Sequence, residues 1–200
     1  MSKTGVAAFF GLALLALPAG RASAREAPVS VAKSFYDAYC KGDMATLEKL
    51  YDPKVKWSDT ITSFGDREGT MGMWRALAAS HASYSYRIVS AQGDKVVVNW
   101  LADYQLLGNP VHNDVMATLV IKDGRIVQHT DAYSWDRWAA QVFPRLGALS
   151  SWPPAAWALR GFLGAALHVQ SAVANAKLAA KAPPAQGEGF VRKLGGALGR

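Results

Sequence analysis

An α+β fold, with a curved antiparallel sheet packed against N-terminal helices, is predicted by three features of this sequence. An opening stretch has helical periodicity, four consecutive segments then alternate strictly, and a short helix follows that proline ends. From Val29 to Lys41 the apolar set Ala32, Phe35, Tyr36, Tyr39 and Cys40 falls at i, i+3, i+4, i+7 and i+8, one stripe for an amphipathic helix to bury, thiol included. Gly42 closes that helix. Asp43 caps a second, short one with Leu47 and Leu50, which Asp52-Pro53 stops. Val55, Trp57 and Asp59 alternate with Lys56 and Ser58, so a strand here carries a carboxylate on its apolar face. Past Gly65 and Gly69, Thr70 is placed to cap a third helix with Met71, Trp74, Leu77 and Ala78 on one side. The alternating segments run through Tyr84, Tyr86 and Ile88; Val96 to Leu106; Val111 to Lys122 after a turn at Gly108-Asn109-Pro110; and Arg125 to Tyr133 after Asp123-Gly124. Ser134 caps the closing helix of Trp135, Trp138 and Val142, which Pro144 ends. A long sheet curved over helices leaves a cone between them, the expected pocket.

The 200 residues, half of them apolar, suit one domain with extensions. A lone Cys40 excludes an internal disulfide, and the absence of zinc-type Cys/His spacing excludes a zinc finger; no metal and no cofactor are expected. The formal charge of +7 lies at the ends: residues 25–143 carry 13 Lys+Arg against 14 Asp+Glu, whereas 144–200 carry 7 against 1. The body has no basic excess, so nucleic acid is not an expected partner. Lys3, the uncharged run from Thr4 to Gly20 and the small residues Ala22-Ser23-Ala24 are read as a signal peptide over 1–24, with export to the periplasm or beyond. The alternatives are an N-terminal membrane anchor that is not cleaved, or an Ala-rich helix of a cytosolic protein. After a domain over 28–143, residues 144–200 form a basic tail rich in Ala and Leu and helical from Ala155 to Lys181. Its last segment, Gly189 to Arg200, mixes Phe190, Val191, Leu194 and Leu198 with Arg192, Lys193 and Arg200, a pattern for contact with an anionic membrane surface. The other readings are a tail without fixed structure, or a helix packed on the body or on a second subunit.

The succession Phe35-Tyr36-Asp37-Ala38-Tyr39, Gly42-Asp43, Trp57-x-Asp59, Phe64-Gly65, Met73-Trp74 and Asp123-Gly124-Arg125-Ile126-Val127-x-His129-x-Asp131 resembles the SnoaL-like branch of the nuclear transport factor 2 superfamily, over about Val29 to Phe143. The resemblance implies a conical fold with a mostly apolar pocket, often dimeric through its sheet. Its members include polyketide cyclases, ketosteroid isomerases, epoxide hydrolases, dehydratases and proteins without catalysis. It places Asp59 where ketosteroid isomerases keep the aspartate that shuttles a proton, and Phe35 where they keep a tyrosine donor, with Tyr36 next to it. Their second donor would fall near Val115 or Ala117, both apolar. Similarity to SnoaL-like cyclases marks Asp131 as a second acid.

The candidate catalytic residues are therefore Asp59, Asp131 and His129. An aspartate on an apolar face loses hydration, which raises its pKa toward that of a useful base; its plain structural alternative is a cap on the next turn. His129 and Asp131 alternate on one face with Val127 and Tyr133, so they are expected to converge on Asp59 across the cone. The alternative pairs Asp131 with an arginine and leaves His129 half exposed. Tyr36, Trp57, Trp74, Trp100, Tyr104 and Asn113 are expected to line the pocket around a small apolar molecule. Two functions follow: proton transfer leading to cyclisation, isomerisation or water addition, or non-catalytic binding in the same cone.

Overall fold

The computed structural model describes residues 19–78 and 83–181, the side chains of 19–26 excepted. Most of the signal-peptide reading and all of the Gly189–Arg200 reading fall outside the described residues. Twenty-two residues form α1 (Ala19–Cys40), followed by α2 (Met44–Leu50), β1 (Tyr51–Ser58), β2 (Ser63–Phe64), α3 (Arg67–Ala78), β3 (Ser83–Gln92), β4 (Lys95–Leu106), β5 (Asn109–Lys122), β6 (Arg125–Ala132), α4 (Trp135–Val142), a 3-10 segment (Pro144–Ser151) and α5 (Pro153–Lys181). The α+β class, the order of elements and the helical tail are as expected, except that the short β2 forms where a loop was expected. The six strands lie in the order β2-β1-β6-β5-β4-β3, antiparallel except where β1 runs parallel to β6.

Local chemistry accounts for the hairpins and caps. Asp123 and Gly124 take φ of 50° and 73°, the left-handed pair that a two-residue β-turn needs, and Asp43 and Ser134 cap α2 and α4 as expected. Four expectations are corrected. The β4–β5 turn pivots on Leu107 and Gly108, with φ of 53° and 79°, because Asn109 and Pro110 already belong to β5. Asp66, not Thr70, caps α3: its carboxylate accepts from the Gly69 N–H at 2.8 Å, while the Thr70 hydroxyl donates back to the Asp66 carbonyl at 2.7 Å. Cys40 is exposed, its Sγ 3.7 Å from the Tyr84 carbonyl, and Ala38 takes its place in the buried set. Finally, α2 ends one residue early, so that Tyr51 opens β1 opposite Ile126; the ladder slips before Lys56, around Pro53, which has no N–H to pair.

The inner face of the sheet and the faces of α1 and α3 close on a core rich in aromatic rings, from Phe35, Tyr36 and Tyr39 through Tyr51 and Trp57 to Trp74 and Trp100. A second cluster of Val111, Trp135, Trp138, Ala139, Val142 and Ala156 joins α4 and α5 to the body. Along α5 the contact with α3 is close because α3 presents Gly72: a Cβ there would stand 2.2 Å from the Ser171 hydroxyl and 2.5 Å from its carbonyl oxygen. Gly72→Ala should therefore lever α5 away and break the Ser171 to Gly69 and Asn175 to Glu68 hydrogen bonds. We expect a loss of about 1–3 kcal/mol despite alanine's better helix propensity, with faster amide exchange across residues 164–176; unchanged exchange would contradict this packing.

Candidate functional site

Ser58, the last paired residue of β1, sits opposite Thr130 of β6 in the parallel ladder, so the residues that follow each, Asp59 and Asp131, fall side by side. Asp59 is half-buried. One carboxylate oxygen accepts from the backbone N–H groups of Ile61 at 2.8 Å and Thr62 at 2.7 Å, and the other accepts from the Tyr133 hydroxyl at 3.0 Å. These three donors favour the charged form. Burial outweighs them, and with a small contribution from the negative charge of Asp131 it lifts the Asp59 carboxyl from 3.8 to about 6. Asp59 thus combines the two roles weighed above: it caps its own turn, and its proton affinity suits exchange near neutral pH. Tyr133 is held protonated above the usual tyrosine range, chiefly by burial and then by Asp59.

His129 and Asp131 do not reach Asp59 by hydrogen bonds; they bond each other. The His129 ring is fully buried among Phe35, Tyr36, Tyr51, Trp57 and Trp74, with ring centroids 5.5–6.5 Å away. The Trp74 indole N–H donates to the Tyr51 hydroxyl at 3.0 Å, so the one hydroxyl proton of Tyr51 is free for His129 Nδ1 at 2.6 Å. In the tautomer that carries its proton on Nε2, Nδ1 accepts from Tyr51 and Nε2 donates to Asp131 Oδ1 at 3.1 Å. The same oxygen accepts from Trp100 Nε1 at 3.1 Å. The result is a directed chain, Trp74 to Tyr51 to His129 to Asp131, through an aromatic interior. No arginine pairs with Asp131 in it.

The pocket expected inside the cone is filled by these rings. Trp74 and Trp100 serve as donors within the chain, and Asn113 is buried on the inner face of β5. Tyr104 accepts from Trp138 Nε1 at 2.7 Å and feels the charge of Asp59. Tyr36 and Trp57 are different: the Tyr36 hydroxyl and the Trp57 indole N–H are buried donors with no acceptor among the described residues. Each such group costs about 1–3 kcal/mol, more than a core built for stability alone would keep. Surface clefts among the described residues include two that are not lined by Asp59, His129 or Asp131. One of about 740 Å3 lies between Asp103, Tyr104, Gln105, Pro110, Val111, His112 and Gln141; the other, about 560 Å3, lies between the β2–α3 turn and α5. Tyr104, which lines the first cleft, is also near enough to Asp59 to feel its charge. Among the described residues no three His, Cys, Asp or Glu side chains gather closely enough to hold a metal ion.

Two functional partners escaped the sequence reading. Tyr51 lies at a helix–strand boundary, where no periodicity marks it as inward-facing. Tyr133 is the next residue of the Val127, His129, Asp131 alternation, a signal strong enough to have linked it to Asp59. The tail also takes part in the site: a Cβ on Gly164 of α5 would stand 3.4 Å from the Ile61 carbonyl and the Thr62 hydroxyl, and His168 Nε2 lies 3.2 Å from that hydroxyl. The turn that holds Asp59 is clamped from outside by α5.

No curated protein matches this chain. Among solved structures, a putative polyketide cyclase from Xanthomonas campestris pv. campestris is 20% identical, with 59% of this chain and 98% of that one covered at a TM-score of 0.53. IdmH, a putative polyketide cyclase from Streptomyces antibioticus, is 24% identical over 57% and 96%, at 0.50. An LEH-like epoxide hydrolase from M. tuberculosis is 14% identical over 65% and 98%, at 0.52. At these identities the likeness is one of fold. The SnoaL-like domain profile matches residues 32–129, the stretch that holds α1 to His129, and with the strand order above it identifies this part of the chain as a member of the SnoaL-like family with a nuclear transport factor 2-like fold.

Proposed function

We propose that this SnoaL-like domain binds a small, largely apolar molecule bearing a carbonyl oxygen and moves a proton on it through Asp59. The observation that carries this reading is the Asp59 carboxyl at about 6, half-buried and bonded to Tyr133. A base with that affinity takes a proton near neutral pH and gives it back. Its carboxylate removes a proton from the carbon next to the carbonyl, becoming the acid and leaving an enolate. Returning that proton to a different atom yields isomerisation, and attack by the enolate within the molecule yields cyclisation. The unpaired donors of Trp57, two residues before Asp59 on β1, and of Tyr36 suit the oxygen on which charge develops. Tyr36 thereby replaces the tyrosine that Phe35 displaces. Entry is by the cleft at Tyr104, whose ring must swing aside. The chain from Trp74 to Asp131 holds the inner wall rigid and adds a negative charge beside Asp59. Export by the N-terminal segment remains part of this reading.

The packed interior and the turn-capping bonds of Asp59 favour a second reading, non-catalytic binding in a cone that opens only for its ligand. One experiment separates the two. Native mass spectrometry of protein purified from its own cells should reveal a bound small molecule, and that molecule, returned to empty protein, should be chemically altered. Recovery of the molecule unchanged would leave binding alone; no bound molecule in repeated preparations would remove both.

A further inference from the structure

The outward face of α5 is the least expected surface of the molecule. Gly164 and Ser171 are turned toward α3 and the Asp59 turn, with Ala156 on the side of the α4 cluster. The opposite side carries Ala158, Phe162, Ala165, Val169 and Val173, spaced three or four apart, all exposed and all without charge. Phe162 is 72% exposed and Val169 64%. No Asp, Glu, Lys or Arg occurs between Arg160 and Lys177. A helix apolar on both faces is normally covered on both faces. Close by, Trp152 and Trp157 are 57% and 80% exposed.

We infer that the outer face of α5 lies on an anionic lipid surface, in the plane of the interface. Charge selects this occupant over a second copy of the chain. Residues 144–181 contain Arg145, Arg160, Lys177 and Lys181 and no acid at all, and the sequence beyond adds Arg192, Lys193 and Arg200 against Glu188. Two copies meeting through α5 would bring like charges together, whereas phosphate headgroups complement them. Lys177 and Lys181 stand at one end of the apolar stripe and the exposed Trp152, just before α5, at the other, a cationic end and an aromatic end of the kind that sits at headgroup depth. No helix among the described residues is long and apolar enough to cross a membrane, so the contact is one of lying on the surface. The inference stands apart from the proton-transfer reading and survives its failure.

The test places an environment-sensitive fluorophore on Val169→Cys in the full chain carrying Cys40→Ser, with the same label on Ser90→Cys of β3 as control. Vesicles of phosphatidylcholine with phosphatidylglycerol should shift the residue-169 emission to the blue and brighten it several-fold, and pure phosphatidylcholine should not. The label at 90 should report water throughout. Lys177→Glu with Lys181→Glu should weaken vesicle binding about tenfold at low salt and much less at high salt. A residue-169 label that reports water while the protein floats with vesicles would place the contact elsewhere and overturn the inference. So would a lack of flotation. A label already shielded in buffer, with twice the monomer mass by light scattering, would assign the face to a second copy instead.

Discussion

Asp59→Asn is expected to abolish proton transfer and, at pH 8, to make the protein more stable than its parent by about 2–3 kcal/mol. Asparagine keeps the shape and still offers an oxygen to the Ile61 and Thr62 N–H groups, so the turn is preserved. What it removes is the cost of holding a carboxylate in a half-buried position. Folding raises the Asp59 carboxyl from 3.8 to about 6, so between those values the folded chain binds more protons than the unfolded one. Stability must then fall as pH rises through this window and stay lower above it. A shift of about two units corresponds to about 3 kcal/mol, some of which solvent at a half-buried site removes. The Asn variant lacks that term. Its advantage over the parent should be full at pH 8, shrink below pH 6 and vanish near pH 4, as thermal melts across pH would show. An Asn variant less stable than its parent at pH 8 would mean that the turn stabilises the charged form, and the base assignment would fail with it.

The larger loss is expected at Asp131. Its Oδ1 is the shared acceptor of the His129 Nε2–H and the Trp100 Nε1–H, both inside the core. Asp131→Leu leaves two buried donors without a partner, at about 1–3 kcal/mol each, a loss of about 2–6 kcal/mol in total. For a domain of this size that lowers the melting temperature by about 10 °C or more. Asp131→Asn retains the oxygen and should lose about 1 kcal/mol. The comparison isolates the acceptor from the side chain's volume, and equal melting temperatures for Leu and Asn would show that the chain ending at Asp131 contributes nothing. The Leu variant should also lose activity beyond its loss of folded protein, because the negative neighbour of Asp59 goes with it.

Much of this was legible from residue order. Alternation placed Trp57, His129 and Asp131 on inward faces, since a strand's period of two leaves few choices once one face is apolar. Asp59 was legible for the same reason, although its dual role as cap and candidate base emerges only when the Ile61 and Thr62 N–H groups are seen folded back onto it. Tyr51 was hidden because a slip at Pro53 sets its register, and periodicity does not record slips. The packed interior was hidden for another reason. Ring positions can be read from sequence, but whether Phe35, Tyr51, Trp74 and Trp100 leave a hollow depends on how their edges meet. Docking of α5 had a trace in the sequence, since Gly164 and Ser171 stand seven apart on one helix side and allow close approach, but their partners, the Ile61–Thr62 turn and Gly72, are about a hundred residues away.

The pairing of β1 with β6 bears on how the molecule comes to exist. Every other neighbouring pair of strands is joined by a short connection, and only this one waits for a segment made some seventy residues later. Until β6 arrives, Tyr51 and Trp57 have no neighbour on that edge, and the N-terminal helices cover an incomplete wall. Long-range pairing of this kind slows folding and leaves greasy surface open meanwhile. The two aspartates, however far apart in the chain, come together in the same late event, so a partly folded molecule has neither half of the site in working order.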